Sequence, residues 1–269
     1  PDAEALRTLY QRLEFKTWLR QLDEAANGPA TVVAIDAEPR QMTGEHYETV
    51  FTQAQLDAWI ERLREAECYA FDTETTSLDY MQARIVGVSF AVAAGKAAYV
   101  PFGHDYAGAP EQLAGDAVLA QLKPLLEDTT PRKIGQHLKY DMNVLANHGI
   151  ALTGIAFDTM LESYVLDSTA SRHDMDSLAL KYLGQHTITF EDVAGKGAKQ
   201  LSFNEVPVEQ ASVYAAEDAD VTLQLHHALW PKLEAETALA RVLKEIELPL
   251  IPVLSRMERS GVLVDKAML

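Results

Sequence analysis

Apolar residues along the chain follow two spacings, and the change from one to the other divides it. Near the start, Leu6, Leu9, Leu13, Trp18 and Leu19 recur at roughly helical spacing until Asn27, Gly28 and Pro29 break the pattern. Residues 31–35 (TVVAI) read as a strand. Thr52 and Gln55 have the spacing of a capping box, and the helix they open carries Leu56, Trp59, Ile60 and Leu63 on one face. Residues 68–71 read as a strand that enters the acidic run FDTET. Residues 84–92 and 97–102 read as two more strands joined by a turn at Gly95, so these three segments predict an antiparallel meander. A helix over residues 119–126, a short strand over 133–135 and a helix over 138–147 follow, and Gly149 is placed to end the last of them.

From residue 158 the pattern turns almost wholly helical. Asp158 or Thr159 caps a helix running towards Leu166, and Asp174 caps another running to Tyr182. Pro207 opens a third that runs to about Trp230, where Pro231 is expected to stop it. Residues 238–259 predict a long amphipathic helix ended by Gly261, and residues 262–264 read as a short strand. No internal repeat or low-complexity tract interrupts this order. Strands with interspersed helices, then helices, predict an α/β chain.

Composition narrows the function. The chain has 269 residues, long for one domain and short for two, with 48% hydrophobic and 23% charged residues, so it can bury a real core. Lys and Arg total 23 against 40 Asp and Glu, a formal net charge of −17. That balance argues against a protein that coats DNA through a broad basic surface. It leaves room for an enzyme that meets nucleic acid through carboxylate-bound cations, because the ions reverse the local field. The single cysteine, Cys68, excludes an internal disulfide. No apolar run reaches the length of about 18 residues that a spanning helix needs, and the N-terminus has no signal-like apolar core, so a cytoplasmic location is expected.

Three acidic motifs carry the candidate chemistry. In Phe71-Asp72-Thr73-Glu74-Thr75, Asp72 and Glu74 stand two apart on a strand, face one side and can converge on one ion. A solvated turn with a helix cap would also fit. Asp141, in GQHLKYD (135–141), stands in the first turns of a helix, where a lone Asp serves equally as cap or surface charge. In YAAEDAD (214–220), Tyr214 and Asp218 stand four apart and share a helix face, while Glu217 and Asp220 point elsewhere. By itself this run also fits a solvated acidic helix face.

Together the three motifs resemble those of the proofreading exonuclease superfamily with four acidic residues. The resemblance is closest to the 3′-5′ exonuclease domain of bacterial family A DNA polymerases. Asp72 and Glu74 match its D-x-E motif, Asp141 its second motif, and Tyr214 with Asp218 its Y-x-x-x-D motif. The sister branch carries His five residues before the last Asp, where this chain has Val213. The resemblance extends over roughly residues 30–269 and includes FDTMLESYVLDS (157–168), RHDMDSLA (172–179) and ITFEDVAGKG (188–197).

The resemblance implies a ribonuclease H-like fold, a mixed central sheet flanked by helices. It implies two divalent ions, Mg²⁺ or Mn²⁺, held by Asp72, Glu74, Asp141 and Asp218. Asp72 is expected to bridge both ions, and Tyr214 to aim the attacking water together with Glu74. The implied substrate is a single-stranded DNA 3′ end, with Leu78, Met175 and Phe190 as base-gripping candidates that would fit a core position equally well, Gln136 and His137 at the strand end, and Lys139, Arg172, Lys196 and Lys199 near the backbone. His137 departs from the family, which often has Asn there. Residues 171–200 carry four Lys or Arg and four Asp or Glu, a neutral stretch in an acidic chain. The implied layout is a tail of a 5′-nuclease domain over residues 1–28, the exonuclease domain over 29–238 and the start of a polymerase domain over 239–269. A monomer covalently linked to those two domains, with no membrane partner, is expected.

Other groups invite chemistry without supporting it. Asp158 repeats the Phe-Asp-Thr text but lacks a following Glu, which reads as a helix cap. His226-His227 reads as surface and packing, with no partner carboxylate at metal spacing. His173 and Asp174 are adjacent and so do not face each other on a helix. Gly195-Lys196-Gly197 lacks the spacing of a phosphate-binding loop. Two other functions compete: an exoribonuclease of the same fold, since the sequence displays no 2′-hydroxyl contact, and a non-catalytic spacer that positions a polymerase domain.

Overall fold

The computed structural model describes residues 3–12, 22, 47–169, 172–265 and 267–268. Pro1–Glu38 and Pro39–Leu269 are separate units. In the first, helix α1 (Ala3–Arg12) accounts for the spacing of Leu6 and Leu9. Leu13, Trp18, Leu19 and the expected strand over 31–35 lie outside the described residues.

The second unit is built on a six-stranded sheet. Its strands are β1 (Glu48–Thr49), β2 (Cys68–Thr75), β3 (Ile85–Ala93), β4 (Lys96–Pro101), β5 (Arg132–Gly135) and β6 (Ile155–Asp158), in the order β1-β4-β3-β2-β5-β6. β2, β3 and β4 form the expected antiparallel meander, turned at Gly95 with φ +75°. β1 pairs parallel with β4, and β5 and β6 continue parallel from β2, so the sheet is mixed. This puts β2, with its carboxylates, in the middle.

Helices cover both faces. Helix α2 (Gln53–Glu65) opens on the Thr52–Gln55 capping box and buries Leu56, Trp59, Ile60 and Leu63. With α3 (Gly115–Leu126) and α4 (Leu138–Asn147) it packs on one face, against Tyr69, Phe71 and Phe90. Helices α5 (Thr159–Leu166), α6 (Met175–Leu178) and α7 (Phe190–Ala194) follow, and then α8 (Val208–Ala235) crosses the other face. There Ala216, Ala219 and Leu223 of α8 meet Ala70, Ala91 and Ala97 of the sheet. Small side chains on both sides let the helix lie close to the strands.

Three expectations about the C-terminal part of the chain are corrected. Pro231 does not stop α8, which runs on to Ala235. Leu229 and Leu233 flank the proline and are fully buried, and that burial outweighs the lost hydrogen bond. The long helix over 238–259 is two helices, α9 (Thr237–Val242) and α10 (Leu248–Ser260), joined by a π-helical turn over Leu243–Glu247. Residues 262–264 form no strand; Val262 and Leu263 are exposed, with no sheet edge beside them among the described residues. Gly261 does end the helix, with φ +65°.

Candidate active site

The period-two alternation of β2 divides its side chains cleanly. Tyr69 and Phe71 enter the core, while Ala70 faces α8. Asp72 and Glu74 continue the Ala70 row and so meet the same helix. One turn of α8 sets Tyr214 and Asp218 on one face. Ligand oxygens of Asp72, Glu74 and Asp218 all lie within 4.8 Å of one another. Glu74 pairs across the sheet with Gly87, where a Cβ would come within 2.3 Å of the Tyr99 hydroxyl. The missing side chain leaves room for that ring beneath the site.

Asp141 enters from α4 and is held by the strand. Its Oδ1 accepts the Thr73 backbone N–H at 3.0 Å and the Thr73 hydroxyl at 2.6 Å. Thr73 thus faces away from the carboxylate row yet fixes the fourth carboxylate. Glu217 and Asp220 point elsewhere, as expected. Glu217 accepts the Ile188 N–H at 2.6 Å, and Asp220 accepts the Tyr47 hydroxyl and the Gly95 N–H, both at 2.9 Å.

Electrostatics decide what this cluster can do. Burial raises all four pKa values. Asp72 is pushed up to about 6. Burial holds Glu74 and Asp218 well above the carboxylate range, reinforced by repulsion from Asp72 and, for Glu74, from Asp218 and Asp141 as well. Asp141 is raised in the same way by burial and Asp72. Such a site needs protons or cations. Glu74 Oε1 and Asp218 Oδ1 are buried without a hydrogen-bond partner, so lone pairs are free for a cation. An all-oxygen donor set suits Mg²⁺ or Mn²⁺. Burial and the nearby carboxylates also hold Tyr214 well above its ordinary pKa, and it donates to Asp218. Tyr214 therefore stays protonated, with its hydroxyl donated to Asp218.

These residues open on a cleft of about 820 Å³. Leu78, Gln136, His137 and Phe190 line it beside the acidic residues. Leu78 is 93% exposed and so supports no core. His137 adopts a left-handed conformation (φ 62°, ψ 44°) at the start of α4. His and Asn are among the few non-glycine residues enriched there, so the backbone accounts for either at this position.

The other expected substrate residues lie off the cleft lining. Met175 packs with Leu178, Val221 and Leu225, because its place on α6 turns it towards α8. Lys139 is drawn to Glu258 at 2.6 Å and Arg172 to Asp174 at 3.0 Å. Lys196 pairs with Glu191 at 2.5 Å.

His226 is a further correction. It is buried, and its Nδ1 lies 2.8 Å from Glu162 Oε1, a partner 64 residues away. No local pattern could reveal that partner. Sequence reasoning also missed Thr75–Ser77, Tyr140 and residues 200–203 in the lining. The aromatic character of Phe203 was the only signal in that last stretch.

The geometry is matched by comparison with known proteins. A 3′-5′ exonuclease family model matches residues 47–234. DNA polymerase I of Pseudomonas aeruginosa is 62% identical over 275 residues, covering all of this chain and 30% of that protein. The chain therefore spans about a third of the length of that relative. Among solved structures, the POL domain of Pol1 from M. smegmatis superposes with a TM-score of 0.65 at 22% identity, over 82% of this chain and 33% of that one. Brucella melitensis NrnC superposes with a TM-score of 0.57 at 21% identity, over 80% of this chain and 92% of that one. The two superpositions bear out the expected ribonuclease H-like fold. Because the family model spans most of the chain and the identity holds along its whole length, the chain belongs to the 3′-5′ exonuclease family, in the form found in bacterial DNA polymerase I.

Proposed function

We propose that this chain is a metal-dependent 3′-5′ exodeoxyribonuclease that removes 5′-mononucleotides from single-stranded or mismatched DNA 3′ ends. The observation that carries this reading is the convergence of Asp72 and Glu74 from β2 with Asp218 from α8 around buried, unpartnered oxygens, with Asp141 of α4 lining the same cleft. Asp72, Glu74, Asp141 and Asp218 would hold the divalent ions. When bound, the ions supply charge neutralisation at the scissile phosphate and acidify the attacking water.

The chain's own residues supply position. Tyr214, kept protonated by its surroundings, orients the water with Glu74 so that it attacks phosphorus in line with the leaving 3′-oxygen. Leu78 and Phe190 grip terminal bases through apolar contact, which reads no sequence. Gln136 and His137 face the strand end with polar groups.

The chain's length relative to its relatives supports a proofreading role inside a longer polymerase. In that role residues 1–28 close a 5′-nuclease domain, 29–238 are the exonuclease domain and 239–269 begin a polymerase domain. The enzyme would work as a monomer in the cytoplasm at the nucleoid; no described helix is long and apolar enough to cross a membrane.

A paired end must unpair before it reaches the carboxylates, and a mismatch has little pairing to lose. At low temperature a mismatched 3′ terminus should be removed at least about 10-fold faster than a matched one, given a few kcal/mol of unpairing. Equal rates on both ends would contradict the substrate assignment. Faster cutting of a matched RNA strand than of DNA would favour the ribonuclease reading instead.

A further inference from the structure

The tripeptide Phe-Asp-Thr occurs twice, at residues 71–73 and 157–159. The first supplies Asp72. The second caps α5, yet its carboxylate does more. Asp158 is 1% exposed and ends β6 opposite Gly135 of β5. Its Oδ1 accepts the N–H groups of Met160 at 3.1 Å and Leu161 at 3.2 Å, the expected cap. The same oxygen accepts the His137 N–H at 3.2 Å, and Oδ2 accepts the Leu138 N–H at 2.8 Å. One buried carboxylate therefore serves the N-termini of two helices. α4 has no side-chain cap of its own from His137.

The bonds to His137 and Leu138 hold a strained place. A left-handed non-glycine residue persists only where its surroundings over-determine it. Asp158 binds the backbone at His137 itself and at the residue after it. Thr159 completes the support: its hydroxyl lies 3.2 Å from the Gly135 carbonyl and 2.5 Å from Gln136 Oε1, and Gln136 Nε2 donates to the His173 carbonyl at 2.9 Å.

We propose that Asp158, with Thr159, is a positioning residue for the substrate, holding Gln136 and His137 in the conformation that meets the DNA 3′ end. The inference rests on the exonuclease reading above. Asp141 is tied independently to Thr73, so the effect falls on substrate grip more than on the carboxylate site.

The test is steady-state digestion of a single-stranded 3′-hydroxyl DNA oligonucleotide in Mg²⁺, with melting temperature measured alongside. Asp158→Asn keeps the shape but has one acceptor oxygen, and its amide sets a donor against a backbone donor. Its KM should rise about 10-fold, the scale of one lost hydrogen bond to a charged group, while kcat stays within about 3-fold. Thr159→Val keeps volume, removes the hydroxyl and should raise KM about 3–10-fold. Thr52→Ala, which loses only the cap of α2, should lower the melting temperature and leave KM unchanged. Folded Asp158 and Thr159 variants with parental KM would overturn the role, and Thr159→Val decides alone if Asp158→Asn does not fold. A parent that digests nothing would overturn the exonuclease reading and this role with it; an active parent with unmoved variants overturns this role only.

Discussion

At the scale of residues, the site is a set of carboxylates that burial and mutual repulsion keep from ionising freely. Asp72 is central to it. Asp72→Ala should reduce single-turnover cleavage by at least about 10³-fold, because it removes the carboxylate that meets Glu74, Asp141 and Asp218, with little loss of fold because repulsion is relieved. Tyr214→Phe keeps the ring and removes one charged hydrogen bond. It should slow cleavage about 10–100-fold and leave Mn²⁺ binding intact by calorimetry. Cleavage at the parent rate by Asp72→Ala, or loss of metal by Tyr214→Phe, would contradict these roles. The raised pKa values also fix a pH dependence. The folded carboxylates bind more protons than the unfolded chain, so without metal the site costs stability as pH rises from the usual carboxylate range through about 6 for Asp72. Cations compete with those protons. The gain in Tm from saturating Mg²⁺ should therefore be small near pH ~5 and larger near pH ~8 by calorimetry; a gain that shrinks with rising pH would refute the linkage.

At the scale of elements, what the sequence revealed was what local geometry encodes. Strand alternation paired Asp72 with Glu74, and helical spacing paired Tyr214 with Asp218. What it hid depends on elements distant in the chain. Met175 turns into the α6–α8 contact, His226 finds Glu162 64 residues away, and Asp158 reaches back to α4. Pro231 shows the same limit, since its local preference for ending a helix yields to the burial of Leu229 and Leu233. The approach of α8 to the sheet is the element-scale feature on which the site depends. Ala219 is fully buried there, beside Asp218. Ala219→Leu should overpack that contact, costing about 1–3 kcal/mol in urea denaturation and slowing cleavage as Asp218 is displaced. A variant as stable and as active as the parent would show that close packing does not set the carboxylate geometry.

At the scale of the whole molecule, charge makes the account of DNA binding specific. The chain carries a net charge of −17, and no lysine or arginine lines the cleft among the described residues. Lys139, Arg172 and Lys196 are each paired with a carboxylate outside the lining. A phosphodiester drawn towards four acidic side chains needs cations to reverse the local field. Metal dependence and direction of attack are thus one claim, and labelled single-stranded oligonucleotides test both together. In Mg²⁺, a 5′-blocked strand should be digested stepwise to 5′-mononucleotides while a 3′-blocked strand resists, and excess chelator should abolish digestion. Digestion that continues undiminished in chelator, or that consumes the 3′-blocked strand equally well, would contradict the account.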